Sequence, residues 1–503
     1  MACSRQTPWR SRAFVPVALL VLCAACELTG AWAEEKRQIT PAVLFVRQPG
    51  AGQVPQAPQD GSEARPFPSL GAALAAAPEG ALLRIDEGVY REPLVITRSV
   101  VLLGRGAGRT RILAVDAGAP ALDVRGVGEV QIYGVAIEGG SVCVAFAGGT
   151  HRLQKVELRG CAQVGLLGRG ARLELISSSI SDVGGGLDGR GIDLDGGTLE
   201  ARHVSMRAAG RRAVVLHKAQ GLLEDVEVRG SSLSALQATD GAEARVVGGS
   251  FEGHGGAALY AGASRLSVHG ARVRRGEYAV LGYRGAELSV VGGELTDYAV
   301  AAVAMVNSHG SVERVTIARG GTDAAVSITR ADGKKPVLLL ENRISSPGTM
   351  GVHITDSIVT ARGNTITGAR LDAEKDMGDA LYAVDSTLIV EHNVFRGNAG
   401  SGVAAIRSQV RLSENGLIEN GRAGVLLLDH SRGTATGNTF ERNLKAGVEL
   451  AEQSRATLAQ NRFGGKGPLD IDAGCGKGLA GNAEIGSGNL AMAGQLRLRS
   501  CGQ

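Results

Sequence analysis

Aromatic residues and cysteines are scarce in this chain of 503 residues. Phenylalanine, tryptophan and tyrosine together make up 3% of it, and there are only 7 cysteines. Glycine, in contrast, occurs 74 times. Few bulky rings and many glycines favour a narrow interior with frequent tight turns, and they argue against a helical bundle.

The chain also lacks a strong excess of charge of either sign. Its formal net charge is +4, and no large basic stripe occurs. Proteins that bind nucleic acid usually carry such a stripe. We therefore predict no nucleic-acid partner.

The N-terminal segment 1–33 is typical of an export signal. A basic segment with Arg5, Arg10 and Arg12 precedes an apolar stretch from Ala13 to Cys26. That stretch is too short for an ordinary membrane-spanning helix, which needs about 20 apolar residues. We therefore predict an exported protein that is secreted, periplasmic or associated with the cell envelope.

Two ways of processing this signal remain open. The tripeptide Ala31-Trp32-Ala33 is a good ordinary cleavage site, and the mature chain would then begin at Glu34. The segment Cys23-Ala24-Ala25-Cys26 instead resembles a lipoprotein signal, in which Cys26 carries the lipid. That lipid is the one membrane contact that the sequence suggests.

An internal repeat is the main organising feature. Its mark is an asparagine, one variable residue and a large apolar residue, which recur together at a nearly constant spacing. The longest spacing contains a polar insertion, Leu371 to Asp379. The repeated asparagines are Asn342, Asn364, Asn393, Asn415, Asn438 and Asn461, whose numbers differ in turn by 22, 29, 22, 23 and 23.

Short apolar runs with period-two alternation follow the same repeat, for example after Gly402, Gly424 and Gly447. Alternation of this kind predicts strands with one face inward. A repeat of about 22 residues accommodates three short strands and three turns, whereas a propeller blade needs about 40 to 50 residues. The pattern therefore predicts an all-β solenoid of parallel strands, with the asparagines stacked at one corner as a structural ladder.

A short helix is predicted before the repeats. Ser69 is a good N-cap, and Leu70, Ala73, Leu74 and Ala77 form one apolar face. We expect this helix, residues 69–77, to cover the open end of the strand stack. The predicted organisation is a signal (1–33), a lead-in (34–68), the solenoid (69–475) and a C-terminal tail (476–503).

Four cysteines lie outside the signal: Cys143, Cys161, Cys475 and Cys501. An even number in an exported protein favours disulfides. Cys143 with Cys161 would link neighbouring repeats, and Cys475 with Cys501 would tie down the tail. Four reduced thiols are the alternative.

The chain resembles the pectin-lyase-like superfamily of right-handed parallel β-helices over about residues 44–475. The resemblance is carried by the repeat and by an opening with Asp60-Gly61, Pro66-Phe67, Gly88-Val89-Tyr90-Arg91-Glu92 and a Gly-Arg-Gly turn at Gly104. It implies a right-handed β-helix with a capping helix. The superfamily contains lyases, hydrolases, esterases, epimerases and members without known activity, so the resemblance implies no single reaction.

No complete catalytic set of that superfamily is present. Hydrolases need paired carboxylates, yet the chain has no Asp-Asp pair, and only Gly253-His254-Gly255 matches a hydrolase motif. The match to esterases is limited to the Gly88–Glu92 opening. The catalytic residues are therefore unknown.

A metal site is not expected. Asp182, Asp188, Asp193 and Asp195 would suit calcium by their oxygen chemistry, but they lack a fixed ligand spacing. We predict no cofactor, with calcium at these residues as the alternative.

Tyrosines and arginines cluster in the middle of the repeats. Because Tyr278 and Tyr298 are separated by nearly one repeat, we expect Tyr260, Tyr278 and Tyr298 to form a strip. With arginines beside it, such a strip suits an acidic polysaccharide. Tyrosines that pack only on their neighbours are the alternative. The candidate ligand-binding residues are Tyr260, Tyr278, Tyr283, Tyr298, Arg274, Arg275, Arg284 and His254.

Three functions follow from these observations. The first is non-catalytic binding of a polysaccharide or an envelope protein. The second is a polysaccharide lyase, hydrolase or epimerase whose site is unfamiliar, which rests on analogy of fold. The third is a structural scaffold.

The export signal predicts a defined N-terminus. Mass spectrometry of the native protein should show a chain that begins at Glu34 or a lipid-modified Cys26. A native protein that still carries residues 1–25 would contradict both processing routes.

Overall fold

The computed structural model describes residues 41–49, 58–126, 128–184, 188–331, 335–374, 377–465, 467–474, 480–492 and 494–500. The predicted signal, the lipid-modification site Cys26 and the Cys475–Cys501 pair lie outside these residues. Among the residues described, no helix is long and apolar enough to span a membrane.

The chain winds into a right-handed parallel β-helix, as the repeat predicted. Each strand pairs in parallel with the strands one turn earlier and one turn later; we call one turn a coil. The first face, face A, is a sheet of 19 strands. Its strands are Val43–Val46, Ala81–Ile85, Val100–Leu103, Glu129–Tyr133, Thr150–Gln154, Arg172–Ile176, Thr198–Arg202, Gln220–Glu224, Glu243–Val247, Arg265–His269, Glu287–Val291, His309–Glu313, Val337–Leu340, Ile358–Arg362, Thr387–Glu391, Gln409–Ser413, Arg432–Thr436, Arg455–Ala459 and Asn482–Ile485.

Face B consists mainly of very short strands. They are Gly88–Arg91, Thr110–Leu113, Ala136–Glu138, Glu157–Arg159, Ser179–Ser181, Ser205–Arg207, Glu227–Arg229, Thr316–Ala318, Arg343–Ser345, Thr365–Thr367, Val394–Arg396, Gly416–Ile418, Thr439–Glu441, Arg462–Gly464 and Leu490–Ala491.

Most strands of face C are longer than those of face B. They are Leu94–Ile96, Leu122–Arg125, Val142–Ala147, Val164–Arg169, Arg190–Asp195, Arg212–His217, Ser234–Thr239, Ala324–Thr329, Met350–Thr355, Leu381–Val384, Val403–Ile406, Ala423–Leu428, Ala446–Leu450, Leu469–Asp472 and Leu498–Arg499.

Faces B and C join into one sheet in the middle of the solenoid. Three long strands, Ser250–Gly262, Arg272–Tyr283 and Glu294–Val306, run from face B onto face C without a break. In the other coils a turn separates the two faces. The surface over these three coils is therefore continuous.

Strand alternation decides which side chains reach solvent. In Arg190–Asp195, for example, Ile192 and Leu194 point into the core while Asp193 and Asp195 point outward. The inward residues of successive coils form one apolar cluster along the axis. The outward residues of successive coils form columns, which position the candidate site.

The six predicted asparagines lie buried at the corner between faces A and B. In each coil the backbone N–H and the side-chain amide donate to the Oδ1 of the next asparagine, at 2.8 to 3.1 Å. The same amide also donates to a carbonyl one coil earlier, as Asn415 does to Val390 at 2.8 Å. Asn489 extends the series by one coil.

Two further ladders occupy the other corners of the same coils. Asn398, Asn420 and Asn443 repeat the amide pattern between faces B and C. Between faces C and A, a serine in each coil accepts from the backbone N–H of the serine before it. The sequence reasoning missed both series, although they recur with the same period as the first ladder.

A helix spans Leu70–Ala76 near the start of the solenoid. Ser69 Oγ accepts from the Ala72 N–H at 3.1 Å, and the Glu92 carboxylate accepts from the N–H groups of Leu70 and Gly71, both at 2.7 Å. The Gly-x-Tyr-x-Glu opening therefore has a structural role, because its glutamate holds the helix N-terminus. We also predicted that this helix covers the open end of the strand stack, and this role stays a prediction.

A disulfide joins Cys143 and Cys161, whose Cα atoms are 5.5 Å apart. Both residues are buried, and the bond links two successive coils. This is one of the two predicted pairs.

The asparagine ladder should contribute measurably to stability. Asn415→Ala should lower the free energy of unfolding by about 1–3 kcal/mol, because the buried N–H and amide of Asn393 lose their acceptor. Urea unfolding of the variant and the parent measures this difference.

The matched control is Asn482→Ala on face A, where the asparagine is exposed. This variant should leave the urea concentration at the midpoint of unfolding unchanged. Equal midpoints for both variants and the parent would mean that the ladder adds nothing to stability.

Candidate functional site

Face C presents the best-defined set of outward polar and aromatic side chains. One column, fixed by the strand register, contains Asp193, Val215, Gln237, Tyr260, Leu281, Ala304, Ser327, His353 and Tyr382. Neighbouring members are about 4.8 Å apart, the spacing of hydrogen-bonded strands. Any extended molecule along the axis would meet them in this order.

A tyrosine–arginine cluster lies on the long strands: Tyr260, Tyr283 and Arg284. The Arg284 guanidinium carbon is 5.0 Å from the centre of the Tyr283 ring, within cation–π range. Burial raises the pKa of Tyr260, and the charge of Arg284 opposes that shift. The three groups therefore lie close enough to interact.

Gly262 makes room for the cluster. A Cβ at this position would lie 2.8 Å from the Tyr260 hydroxyl oxygen and 3.1 Å from its ring. The Tyr260 ring therefore rests on a residue without a side chain and remains only partly buried.

Arg284 is exposed at the edge of face C that borders face A. In the described part of the chain, no carboxylate lies within ion-pair distance of it. Most other arginines of the solenoid surface have such a partner, so this guanidinium remains available to a ligand.

The predicted tyrosine strip is wrong. Tyr278 pairs in register with Ala257 and Ala301, whereas Tyr298 pairs with Gly276. The strand pairing is irregular between His254 and Ala257 and again between Gly276 and Tyr278. These irregularities shift the register between the three coils. A spacing of nearly one repeat in the sequence therefore places Tyr298 at the corner and not beside Tyr278.

Tyr298 points away from solvent. It is 2% exposed, and its hydroxyl donates to the Pro347 carbonyl at 2.8 Å. Burial raises the pKa of this phenol. Its predicted contact with a ligand is corrected: Tyr298 is a packing residue.

Arg274 and Arg275 lie toward face B and are engaged with carboxylates. Arg274 is 3.9 Å from Asp297, and Arg275 forms an ion pair with Glu252. They therefore do not border the tyrosine–arginine cluster, contrary to the prediction.

His254 is also buried, at 3% exposed. Within the described residues, neither of its ring nitrogens has a hydrogen-bond partner of normal geometry. A side chain in this position cannot reach a surface ligand, so its predicted binding role is not supported by the structure.

The four aspartates considered for calcium do not converge on a common point. Asp193 and Asp188 are 2.6 and 3.2 Å from Arg190, and Asp195 is 3.6 Å from Arg169. In the described ranges, no three His, Cys, Asp or Glu residues are placed to hold a metal ion. The predicted lack of a cofactor and its alternative, calcium at these residues, both stay untested.

These ion pairs instead line a polar groove on face C, next to the tyrosine–arginine cluster. The groove is formed by Arg169, Asp188, Arg190, Asp193, Asp195, Arg212, Val215, His217, Gln237 and Thr239. The sequence reasoning missed the arginines, although Arg190 and Arg212 are one repeat apart and face one another in register.

His217 in this groove pairs with an aspartate. Its Nδ1 is 2.9 Å from an Asp240 carboxylate oxygen. Such a pair can move a proton to or from a bound molecule. Similar pairs join His392 to Glu414 and His203 to Asp225 at corners elsewhere, so the pairing also serves the stacking of coils.

Comparison with known proteins agrees with this architecture. Residues 301–463 match the family model described as "Right handed beta helix region". No curated protein matches the chain. The family match and the strand pairing together confirm the predicted right-handed parallel β-helix.

Several solved structures are similar in outline. The mannuronan C-5 epimerase AlgE6 A-module of Azotobacter vinelandii is 14% identical, with 85% of this chain and 94% of that chain covered and a TM-score of 0.30. The periplasmic alginate epimerase AlgG is 11% identical over 84% and 83% of the two chains, with a TM-score of 0.31. The α-1,3-glucanase of Streptomyces thermodiastaticus is 13% identical over 87% and 67%, with a TM-score of 0.25. Similarity at this level carries no argument about function.

Burial of His254 predicts a loss of stability in acid. Burial lowers its pKa from 6.5 to about 4. The unfolded chain therefore takes up a proton near pH 6.5, whereas the folded protein does so only near pH 4. The stability contributed by the neutral ring is complete above pH 6.5 and falls, by on the order of 3 kcal/mol, as the pH drops to about 4.

Urea unfolding at pH 7 and at pH 4.5 tests this prediction. His254→Gln, which carries no titrating ring, should lose less stability between the two pH values than the parent does. The exposed His203→Gln should behave as the parent does. An equal loss in the parent and in His254→Gln would contradict the assignment.

Proposed function

We propose that this protein binds a polysaccharide along face C, without chemical conversion, in an exported compartment or at the cell envelope. The observation that carries the proposal is the tyrosine–arginine cluster on the continuous surface of the three long strands. It combines two partly exposed rings with a guanidinium that has no carboxylate partner among the described residues.

Each part of the cluster matches a feature of a sugar chain. Tyrosine rings offer apolar faces to the C–H faces of a sugar and a hydroxyl for hydrogen bonding. The guanidinium of Arg284 can hold a carboxylate in a bidentate arrangement. An acidic polysaccharide therefore suits the cluster better than a neutral one.

The neighbouring groove supplies polar groups that are already held in place. Arg190 is fixed between Asp188 and Asp193, so its remaining hydrogen-bonding capacity points in defined directions. Groups that are ordered before binding lose little entropy when they bind hydroxyls. The groove thus supports contact with more than one sugar unit.

Catalysis is the second candidate, and the His217–Asp240 pair favours it. His217 lies in the groove, one coil before Thr239 and two before Gly262, and Asp240 directly follows Thr239 in the chain. A histidine backed by a carboxylate is a common general base. Related pairs at other corners weigh against this candidate, so we place binding first.

Titration calorimetry of the mature protein tests the proposal. Oligogalacturonates should bind, neutral gluco-oligosaccharides should bind less, and added salt should weaken the acidic ligands. Tyr260→Ala/Arg284→Ala should weaken oligogalacturonate binding about tenfold or more, because each lost contact is expected to be on the order of 1 kcal/mol.

Tyr133→Ala/Arg411→Ala on face A is the matched control and should bind as the parent does. Equal binding of both glycan classes, or a double variant on face C that binds as well as the parent, would refute the site. New reducing ends or unsaturated sugars after incubation would show instead that the protein is an enzyme.

A further inference from the structure

A second ring cluster lies further along face C. The rings of His353 and Tyr382 are 5.7 Å apart between centroids and tilted by 59°. The His353 Nε2 is 3.3 Å from the Thr355 hydroxyl. We call these residues the histidine–tyrosine cluster; the sequence reasoning did not connect them.

Each cluster has a member in the same outward column: Tyr260 in the first, and His353 and Tyr382 in the second. Tyr260 and His353 are four coils apart, which corresponds to about 19 Å along the axis. The column residues between them are Leu281, Ala304 and Ser327. These side chains are short or apolar, so the surface between the clusters is shallow and one extended molecule can contact both.

The histidine–tyrosine cluster has a negative neighbour, Asp323. This residue immediately precedes the strand that carries Ser327, at the edge of face C next to face B. Burial raises the pKa of Tyr278, and the charges of Glu277 and then Asp323 add to that shift. Burial lowers the pKa of His353, and the charge of Asp323 opposes that shift. Among the described residues, no cation is within ion-pair distance of its carboxylate and no hydrogen bond reaches that carboxylate.

Arg284 and Asp323 are therefore two opposite charges on the same surface, and neither has an ion-pair partner among the described residues. They lie at opposite edges of face C and two coils apart. Arg284 and Asp323 are separated by one strand length across face C and by two coil spacings along the axis. The distance between them is therefore roughly 25 Å. At this distance water and salt screen one charge from the other, so each acts on whatever lies next to it.

We propose that the ligand of face C is a heteropolysaccharide, in which an acidic sugar opposite Arg284 is joined in one chain to an uncharged sugar opposite Asp323. This inference rests on the proposed function. An uncharged sugar can donate its hydroxyl hydrogens to the Asp323 carboxylate, and a neighbouring sugar of the same chain can pack on Tyr382. A uniform polyuronate places a second carboxylate beside Asp323, and the repulsion between like charges selects against it.

Asp323→Asn separates the two kinds of ligand because it removes the charge and keeps the shape. The probes are hyaluronan oligosaccharides, in which acidic and uncharged sugars alternate, and oligogalacturonates of equal length. The parent protein should bind the alternating chain more tightly. The variant should bind oligogalacturonate about fivefold more tightly, because the repulsion is lost, and the alternating chain several-fold more weakly.

The control is Glu294→Gln on face B, which changes the net charge equally and should alter neither affinity. If Asp323→Asn shifts both affinities in the same direction, or neither, the inference is wrong while polysaccharide binding stands. If the parent protein binds neither probe, the proposed function fails, and this inference fails with it.

Discussion

The register between coils governs the rest of this structure. Each residue of a strand lies one strand spacing above its partner in the preceding coil, and parallel pairing continues through all 19 strands of face A. Inward, this register stacks apolar side chains into one core. At the corners it brings the amides of successive asparagines within hydrogen-bond distance. Outward, it converts residues that are one repeat apart into neighbours on a surface.

The sequence predicted the fold well wherever the repeat was regular. The ladder from Asn342 to Asn461 could be found because the polar residue and the turn recur together at a nearly constant spacing. The same counting failed for Tyr298, because the long strands contain irregular pairings that a spacing does not reveal. It failed for His254 too, since Gly-His-Gly indicates a turn but not that the ring lies inward.

The candidate site depends on which charges have partners, and a linear sequence does not show this. Arg274, Arg275 and Arg284 look alike in the sequence, yet the first two meet Asp297 and Glu252 across a coil. Arg284 meets a tyrosine ring instead. Ion pairs across coils thus neutralise many of the surface charges. Arg284 combines a guanidinium that has no carboxylate partner among the described residues with a tyrosine ring, and it marks where we propose that a charged molecule is recognised.

The ladders are concentrated in the coils that follow Leu340, and this divides the solenoid into two parts of different construction. In a protein built of stacked repeats, the free energy of unfolding is approximately the sum of contributions from each coil and from its contacts with the neighbouring coils. The corner that holds asparagines after Asn342 holds Val204, Val226 and Val315 in earlier coils. Apart from the two coils that the Cys143–Cys161 disulfide joins, opening of the solenoid under heat or tension should therefore proceed through the earlier coils and stop at Asn342. The stack then has one compliant part and one rigid part.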